Sequence, residues 1–322
     1  MGQLVDGVWR DEAPAAGGDG RFHRANTQFR NWITADGSPG PTGKGGFKAE
    51  RGRYHLYVSL ACPWAHRTLI MRRLKHLEDA IDVSVVHWHL GRNGWEFRAG
   101  PGATGDRLHG FDYLHQVYTR ARSDYTGRAS VPVLWDKEAG TIVNNESAEI
   151  IRMLNAAFDR VGADGPDFYP AGLRPAIDAI NDRVYETVNN GVYRAGFARS
   201  QEAYEEAAGA LFATLDDLEE LLASQRYLAG ERVTEADWRL FTTLVRFDAV
   251  YVGHFKCNLR RLVDYPKLWT YARELYQVPG VAGTVDFHHI KHHYYGSHKS
   301  VNPTGIVPIG PAIDWNLPHG RG

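Results

Sequence analysis

The stretch of sequence that decides the fold runs from Tyr54 to Arg67 and reads YHLYVSLACPWAHR. Its first seven residues alternate like a β-strand, and the run from Ile81 to Trp88 does so again. Between the two lies an apolar stripe at helical spacing, formed by Leu69, Ile70, Leu74 and Leu77. Because Pro63 is suited to the first turn of a helix, the pattern predicts a strand, a helix that begins just after Cys62, and a second strand.

Two further strands and a helix complete the prediction for the first domain. Val131 to Trp135 and Thr141 to Val143 form a closely spaced pair of strands, and residues 144–147 lead into a helix. The order strand, helix, strand, long loop, strand, strand, helix is that of a thioredoxin-like α/β domain, predicted over 53–160. The loop from about 90 to 130 is too long for a simple connection, which indicates a functional role.

Helical periodicity dominates the second half of the chain after a predicted linker at 161–173. It predicts an all-α domain, a helical bundle, over 174–286. The predicted helices lie near 174–195, 200–224, 235–250 and 264–277. The third begins with a capping box, in which Thr234 is the N-cap residue and Asp237 takes the place of the usual Glu.

Irregular segments are predicted at both ends of the chain. Residues 1–52 hold few periodic apolar runs and many breakers, including Gly17-Gly18 and SPGP at 38–41. They are interpreted as an N-terminal arm draped over the body of the protein. The C-terminal tail at 287–322 is predicted to be irregular as well, since it carries prolines at 303, 308, 311 and 318.

Composition limits the classes of function. The 322 residues carry 37 Lys and Arg against 38 Asp and Glu, and this near-neutral charge argues against nucleic-acid and polybasic membrane binding. No window approaches the roughly 18 apolar residues of a membrane span, and the N-terminus lacks the features of a secretory signal. The two cysteines, Cys62 and Cys257, are too few for a disulfide framework, so a reducing cytoplasm is predicted.

Cys62 is the candidate nucleophile. A cysteine at a helix N-terminus meets unpaired backbone N–H groups and the positive end of the helix, which favour the thiolate. Position 65 is Ala, so no second thiol stands three residues on and a dithiol oxidoreductase is disfavoured. The thiol that resolves a disulfide at Cys62 must come from another molecule or from Cys257, and the first is favoured.

Two other features predict contacts with a peptide-like ligand. Pro132 removes a backbone donor at the start of a strand, and a cis Val131–Pro132 bond would leave the backbone of Val131 able to pair with an extended peptide. The helix start at 145–147 offers N–H groups to a carboxylate. Its Glu146 and Ser147 offer an acid and a hydroxyl for an α-amino group.

The run FHHIKHHYY at 287–295 permits a metal interpretation, because histidines four residues apart share a helix face. No Cys or carboxylate cluster completes a set of ligands nearby in the sequence. Histidines interleaved with Lys and Tyr more often line a polar surface or pocket, so no metal is predicted.

At CPWAHR, residues 62–67, the sequence resembles the glutathionyl-hydroquinone reductases, the Xi-class glutathione transferases. The likeness covers almost the whole chain, including the long arm and tail. The other matching motifs are GRYHLY at 52–57, VPVLWDK at 131–137, TIVNNES at 141–147, the region of Tyr294, and Asn302-Pro303. The resemblance implies a thioredoxin-like domain joined to a helical domain, usually in a homodimer, that reduces glutathionyl-hydroquinones with glutathione as co-substrate.

The resemblance also implies roles for individual residues. Cys62 is the nucleophile, and Tyr193 or Tyr294 supplies a proton to the departing ring. The residues implied to bind glutathione are Trp95, Arg128, Val131, Glu146 and Ser147. The residues implied to line the hydroquinone pocket are Tyr193, Tyr251 and Tyr294.

Two alternatives use the same residues differently. An omega-type thiol transferase or dehydroascorbate reductase would combine Cys62 with a different acceptor pocket, and the tyrosine set with the long tail argues against it. A non-catalytic glutathione-domain module, which binds ligands or partners, would tolerate loss of the thiol. The intact pairs Cys62-Pro63 and Glu146-Ser147 argue against that class.

Overall fold

A four-stranded sheet forms the centre of the first of two units in the computed structural model, which describes residues 2–11 and 20–321. Within the described residues, the first unit comprises 2–11, 25–166 and 284–293, and the second comprises 20–24, 167–283 and 294–321. The predicted breaker at Gly17-Gly18 lies outside the described residues.

The strands are β1 (Gln3–Val5), β2 (Val8–Arg10), β3 (Tyr54–Val58), β4 (Ile81–Val85), β5 (Leu90–Gly91), β6 (Gly94–Trp95), β7 (Val133–Asp136) and β8 (Thr141–Asn144). The α-helices are α1 (Pro63–Leu74), α2 (Leu114–Ala121), α3 (Ser147–Ala156), α4 (Arg174–Val184), α5 (Gly191–Gly196), α6 (Gln201–Ser224), α7 (Glu235–Arg246), α8 (Pro266–Gln277) and α9 (Phe287–Ser297).

The sheet of the first unit has the strand order β4-β3-β7-β8. Strands β3 and β4 are parallel, whereas β3 pairs with β7, and β7 with β8, in antiparallel fashion. Parallel neighbours need a crossover, and α1 supplies it. The predicted fold class, a thioredoxin-like α/β domain followed by an all-α domain, is confirmed.

The central strand β3 determines where the first helix begins. All five of its residues are buried, and its two neighbours pair along its length. At the far end of α1, Arg72 donates hydrogen bonds to the carbonyl oxygens of Glu78 and Ile81, at 2.9 and 2.7 Å, which ties the helix to the start of β4. The start of α1 therefore lies just past the carboxyl end of β3, and Cys62 lies there with it.

The second unit consists of helices. The predicted helices near 174–195 and 235–250 are not regular α-helices throughout, because each includes a π-helical turn. One turn, Tyr185–Asn189, separates α4 from α5, and the other, Phe247–Tyr251, follows α7. Such turns occur often at functional sites. Although α6 has 24 residues, no helix in the described part of the chain is long and apolar enough to cross a membrane.

The predicted capping box at the start of α7 is confirmed. Asp237 Oδ2 accepts hydrogen bonds from the backbone N–H and the hydroxyl of Thr234, at 2.7 and 2.9 Å. Its other oxygen accepts from the Leu228 N–H and the Tyr271 hydroxyl, at 3.0 and 2.8 Å. The buried carboxylate thus caps α7 and joins it to α8, because Tyr271 lies on α8.

The N-terminal arm contains a hairpin that the sequence analysis did not predict. Strands β1 and β2 pair through a tight turn at Asp6-Gly7, where both residues have positive φ, 48° and 76°. An Asp-Gly pair is a strong signal for such a turn, but strands of three residues are too short to show an alternation. Leu4 exchanges two backbone hydrogen bonds with Gly127, both of 2.9 Å, which attach the hairpin to the end of the long loop.

The prediction of an irregular tail from residue 287 is wrong at its start, where α9 forms. Asp286 Oδ1 accepts the backbone N–H of His289 at 2.7 Å and caps this helix. The prolines that suggested irregular structure begin only at Pro303, so they do not oppose a helix over 287–297. The long loop likewise contains one helix, α2, and the short hairpin of β5 and β6.

Acid is expected to destabilise the first unit through His55. This side chain is 2 % exposed in β3, and its Nε2 lies 2.8 Å from Ser84 Oγ. Burial lowers the pKa of His55 from 6.5 to about 4. The unfolded chain therefore binds an extra proton between those pH values, and the free energy of unfolding falls as the pH drops through them, by up to about 3 kcal/mol.

Urea unfolding at pH 7.5 and pH 5 measures this contribution. Between these two values the wild-type protein is expected to lose about 2 kcal/mol more stability than His55→Asn, which has no group to titrate. His23→Gln provides the matched control, since it removes an exposed histidine that lies outside β3. Equal losses in the wild type and in His55→Asn would contradict the assignment.

Candidate active site

Cys62 is the N-cap residue of α1, with an extended backbone (φ −77°, ψ 121°). Its carbonyl oxygen accepts the His66 N–H at 2.9 Å, and Pro63 occupies the first helical position. The thiol is half-buried, and its Sγ lies 3.6 Å from the carbonyl oxygen of Val131. A helix N-terminus favours negative charge, so this position suits a nucleophilic thiolate.

Arg67 connects α1 to the start of α3, a role that the sequence analysis missed. The side chain is 1 % exposed, its Nη1 donates to Ser147 Oγ at 3.4 Å, and its guanidinium carbon lies 4.5 Å from the centroid of the Trp64 ring. A charged side chain that is buried needs such polar and aromatic neighbours. The sequence did contain a signal for this role, because Arg67 is a cation within the first two turns of α1, the helix that starts at the candidate nucleophile Cys62.

Glu146 and Ser147 form the start of α3. The Glu146 carboxylate caps the helix, because its Oε1 accepts the Ala148 N–H at 3.2 Å, and its Oε2 accepts the Thr27 hydroxyl at 3.3 Å. Ser147 is 2 % exposed. The two residues thus have structural partners, and their predicted contacts with glutathione remain predictions.

The other three predicted glutathione-binding residues also belong to the first unit. Val131 precedes β7, contacts the thiol as described, and forms a cis peptide bond with Pro132. Trp95 is 8 % exposed at the end of β6, and its ring stacks on that of His293, with centroids 4.8 Å apart. Arg128 is half-buried, and its carbonyl oxygen accepts the Tyr125 hydroxyl at 3.3 Å.

Three tyrosines, Tyr193, Tyr251 and Tyr294, meet in the second unit and form what we call the tyrosine cluster. The Tyr294 hydroxyl makes hydrogen bonds with the hydroxyls of both other residues, that of Tyr251 at 3.2 Å. The side chains are 9 %, 0 % and 1 % exposed. Phe255, which the sequence analysis did not single out, packs against all three, with ring centroids 5.4, 5.6 and 5.6 Å away.

Two members of the tyrosine cluster, Tyr251 and Tyr294, hold their protons tightly, and the cluster lies at irregular helix turns. Burial, followed by the charge of Tyr193, raises the pKa of Tyr251 well above its usual value, and the same two causes raise that of Tyr294. Tyr251 ends one π-helical turn, and the helix that carries Tyr193 follows the other. The hydroxyls of Tyr251 and Tyr294 therefore keep their protons at neutral pH and can donate hydrogen bonds.

The histidines of α9 make contacts with the protein itself. His289 donates a hydrogen bond to the carbonyl oxygen of Pro101 at 2.6 Å, and His293 donates to that of Trp88 at 2.9 Å. Within residues 2–11 and 20–321, no three His, Cys, Asp or Glu side chains are placed to hold a metal ion. These two histidines join α9 to the segment around β5 and β6.

Two family models match the chain. Residues 61–157 match the N-terminal domain of glutathione S-transferases, and residues 201–274 match their C-terminal domain. The chain has a thioredoxin-like sheet and a helical unit, and a cysteine lies at the start of α1, the first helix of the thioredoxin-like domain. This fold and this site define a glutathione transferase.

Close relatives narrow this class. The chain is 59 % identical over 325 residues to the glutathionyl-hydroquinone reductase YqjG of Escherichia coli K12, covering 100 % of this chain and 98 % of that protein. It is 58 % identical over 315 residues to the glutathionyl-hydroquinone reductase PcpF of Sphingobium chlorophenolicum, covering 97 % of both. The glutathione-bound structure of YqjG matches with a TM-score of 0.93 over 99 % of both chains, at 58 % identity. The chain belongs to the family of glutathionyl-hydroquinone reductases, and the resemblance noted in the sequence is confirmed.

Proposed function

We propose that the protein reduces glutathionyl-hydroquinones to hydroquinones, with glutathione as co-substrate. The observation that carries the proposal is the half-buried Cys62 thiol at the N-terminus of α1, with Sγ 3.6 Å from the Val131 carbonyl oxygen. The names of the two curated relatives support this substrate class. The glutathione-bound relative supports glutathione as the ligand.

In the first step, the Cys62 thiolate attacks the glutathionyl sulfur of the conjugate. A disulfide bond forms between Cys62 and glutathione while the bond from that sulfur to the aromatic carbon breaks, and the electron pair goes to the carbon. Because an aryl carbanion is a poor leaving group, a proton must reach this carbon as the bond breaks. We assign the proton to the hydroxyl of Tyr193 or Tyr294.

In the second step, another glutathione attacks the mixed disulfide at its glutathionyl sulfur. This attack releases glutathione disulfide and restores the Cys62 thiolate; the proton that the attacking thiol loses goes to solvent, and the tyrosine takes a proton back from solvent. One conjugate and one glutathione thus give one hydroquinone and one glutathione disulfide.

Binding of glutathione is assigned to the first unit. The N-terminus of α3, at Glu146 and Ser147, offers N–H groups to a glutathione carboxylate, and the backbone of Val131 pairs with the peptide. Trp95 and Arg128 complete the proposed set. The tyrosine cluster, including Tyr251, is assigned to the aromatic ring of the substrate. We further propose that the enzyme acts as a homodimer in the cytoplasm.

A direct assay tests the reaction. Purified protein is incubated with a glutathionyl-hydroquinone and excess glutathione, and free hydroquinone and glutathione disulfide are followed together. Equal amounts of the two products are expected. Activity on small mixed disulfides or on dehydroascorbate, without release of hydroquinone, would instead indicate a thiol transferase, and inactivity in every assay would indicate a binding module.

A further inference from the structure

Arg24 lies against the tyrosine cluster and has no role in the reaction as proposed so far. Its guanidinium carbon is 5.1 Å from the centroid of the Tyr193 ring and 5.5 Å from that of the Phe22 ring. Both distances are within the range of about 6 Å at which an aromatic face attracts a cation. A positive charge therefore lies beside Tyr193.

The segment that carries Arg24 belongs to the second unit, and two contacts hold its N-terminal end there. The carbonyl oxygen of Gly20 accepts the backbone N–H of Arg199 at 3.0 Å. Arg21 forms an ion pair with Glu206, with 2.6 Å between Nη2 and Oε2. The position of Arg24 against the tyrosine cluster is thus supported by contacts earlier in the same segment.

Asn190 fixes Arg24 and Tyr193 relative to each other. Its side-chain oxygen accepts a hydrogen bond from Arg24 Nε at 2.9 Å, and its carbonyl oxygen accepts the backbone N–H of Tyr193, also at 2.9 Å. Asn190 is 8 % exposed and directly follows the π-helical turn Tyr185–Asn189. One buried residue therefore sets the distance between the cation and the phenol.

The location of this charge matters for proton transfer. When the Tyr193 hydroxyl gives up its proton, negative charge develops on the phenol, and a fixed cation nearby lowers the free energy of that state. The buried Arg246 acts on Tyr251 and Tyr294 and lowers the pKa of each, against the larger effect of burial, whereas the guanidinium of Arg24 lies over the ring of Tyr193. What distinguishes Tyr193 is that the cation over its ring is Arg24, which Asn190 holds through a hydrogen bond.

We infer that Arg24 is a positioning residue that holds the Tyr193 ring and favours transfer of the Tyr193 proton to the carbon of the departing hydroquinone. This inference rests on the proposed function and adds to it a reason for Tyr193 to be the proton donor. It predicts that Arg24 contributes to the first step of the reaction and not to the second.

The test compares four variants in single-turnover release of hydroquinone, namely Arg24→Gln, Arg24→Lys, Tyr193→Phe and the double variant Arg24→Gln/Tyr193→Phe. Arg24→Gln is expected to slow release about 2- to 5-fold with little change in KM, and Arg24→Lys to recover much of that loss because it keeps the charge. In the double variant, Arg24→Gln is expected to cause no further loss, since its effect acts through the Tyr193 hydroxyl.

Controls separate this inference from the proposed function. Arg21→Gln removes a cation from the same segment and is expected to leave release unchanged. Reduction of a preformed mixed disulfide at Cys62 by glutathione is expected to be unchanged in Arg24→Gln. If Tyr193→Phe itself releases hydroquinone at the normal rate, the proposed role of Tyr193 fails. If Tyr193→Phe is slow but Arg24→Gln is normal, or the two effects multiply in the double variant, the inference about Arg24 fails alone.

Discussion

Cys62→Ser is expected to lose release of hydroquinone by about three orders of magnitude or more. A serine hydroxyl is not ionised at neutral pH, and its oxygen cannot form the mixed disulfide through which both steps pass. The variant is expected to fold, because the Cys62 thiol is half-buried and the substitution changes one atom. Free hydroquinone and glutathione disulfide are measured together, and mass spectrometry is expected to find a glutathione adduct on the wild type but not on the variant.

The second cysteine provides a matched control for this prediction. Cys257 is fully buried, and burial raises the pKa of its thiol to about 12, so it is not a thiolate at neutral pH. Cys257→Ala is therefore expected to keep the activity, although the small cavity it leaves costs some stability. Normal turnover by Cys62→Ser, or loss of turnover in a folded Cys257→Ala protein, would contradict the proposed mechanism.

Local patterns in the sequence were sufficient for the main elements of the fold. The Pro at the start of α1 and the Thr234–Asp237 capping box of α7 depend on residues within one or two helical turns. The hairpin of β1 and β2 was missed because strands of three residues are too short to show an alternation, and the pairing of Leu4 with Gly127 joins positions far apart in the chain. The start of α9 was missed because the prolines of the tail, which begin at Pro303, indicate irregular structure, whereas the capping residue Asp286 lies just before the tail.

The residues of the candidate site likewise fall into two groups, those that the local sequence predicts and those that depend on contacts between distant positions. Cys62 was predictable because its chemistry follows from its place before a helix, whereas the tyrosine cluster depends on pairs 43 and 101 residues apart in the chain. Arg24 is further still from its partner, since 166 residues separate it from Asn190. No spacing rule relates positions that distant, so the resemblance to a family supplied the tyrosines, and only the structure supplied Arg24.

Tyr193→Phe and Tyr294→Phe are expected to slow the first step, at least one of them by a factor of about 10² to 10⁴, which is the usual range for loss of a general acid. The two hydroxyls form a hydrogen bond with each other, so each variant removes either the proton donor or the group that orients it. The measurement is single-turnover release of hydroquinone. In the same preparations, reduction of a mixed disulfide already formed at Cys62 is expected to proceed at the normal rate, because that step protonates no carbon.

A neighbouring tyrosine on the same helix provides the control for these two variants. The Tyr295 hydroxyl lies 3.5 Å from the carbonyl oxygen of Ala249 and is not one of the three hydroxyls of the tyrosine cluster, so Tyr295→Phe is expected to release hydroquinone normally. Normal release by both Tyr193→Phe and Tyr294→Phe would exclude the tyrosines as proton donors and would require the proton to come from solvent or from the substrate. Equal slowing of both steps would place the tyrosines in binding or folding instead, because a general acid for carbon acts only while the bond from sulfur to carbon breaks.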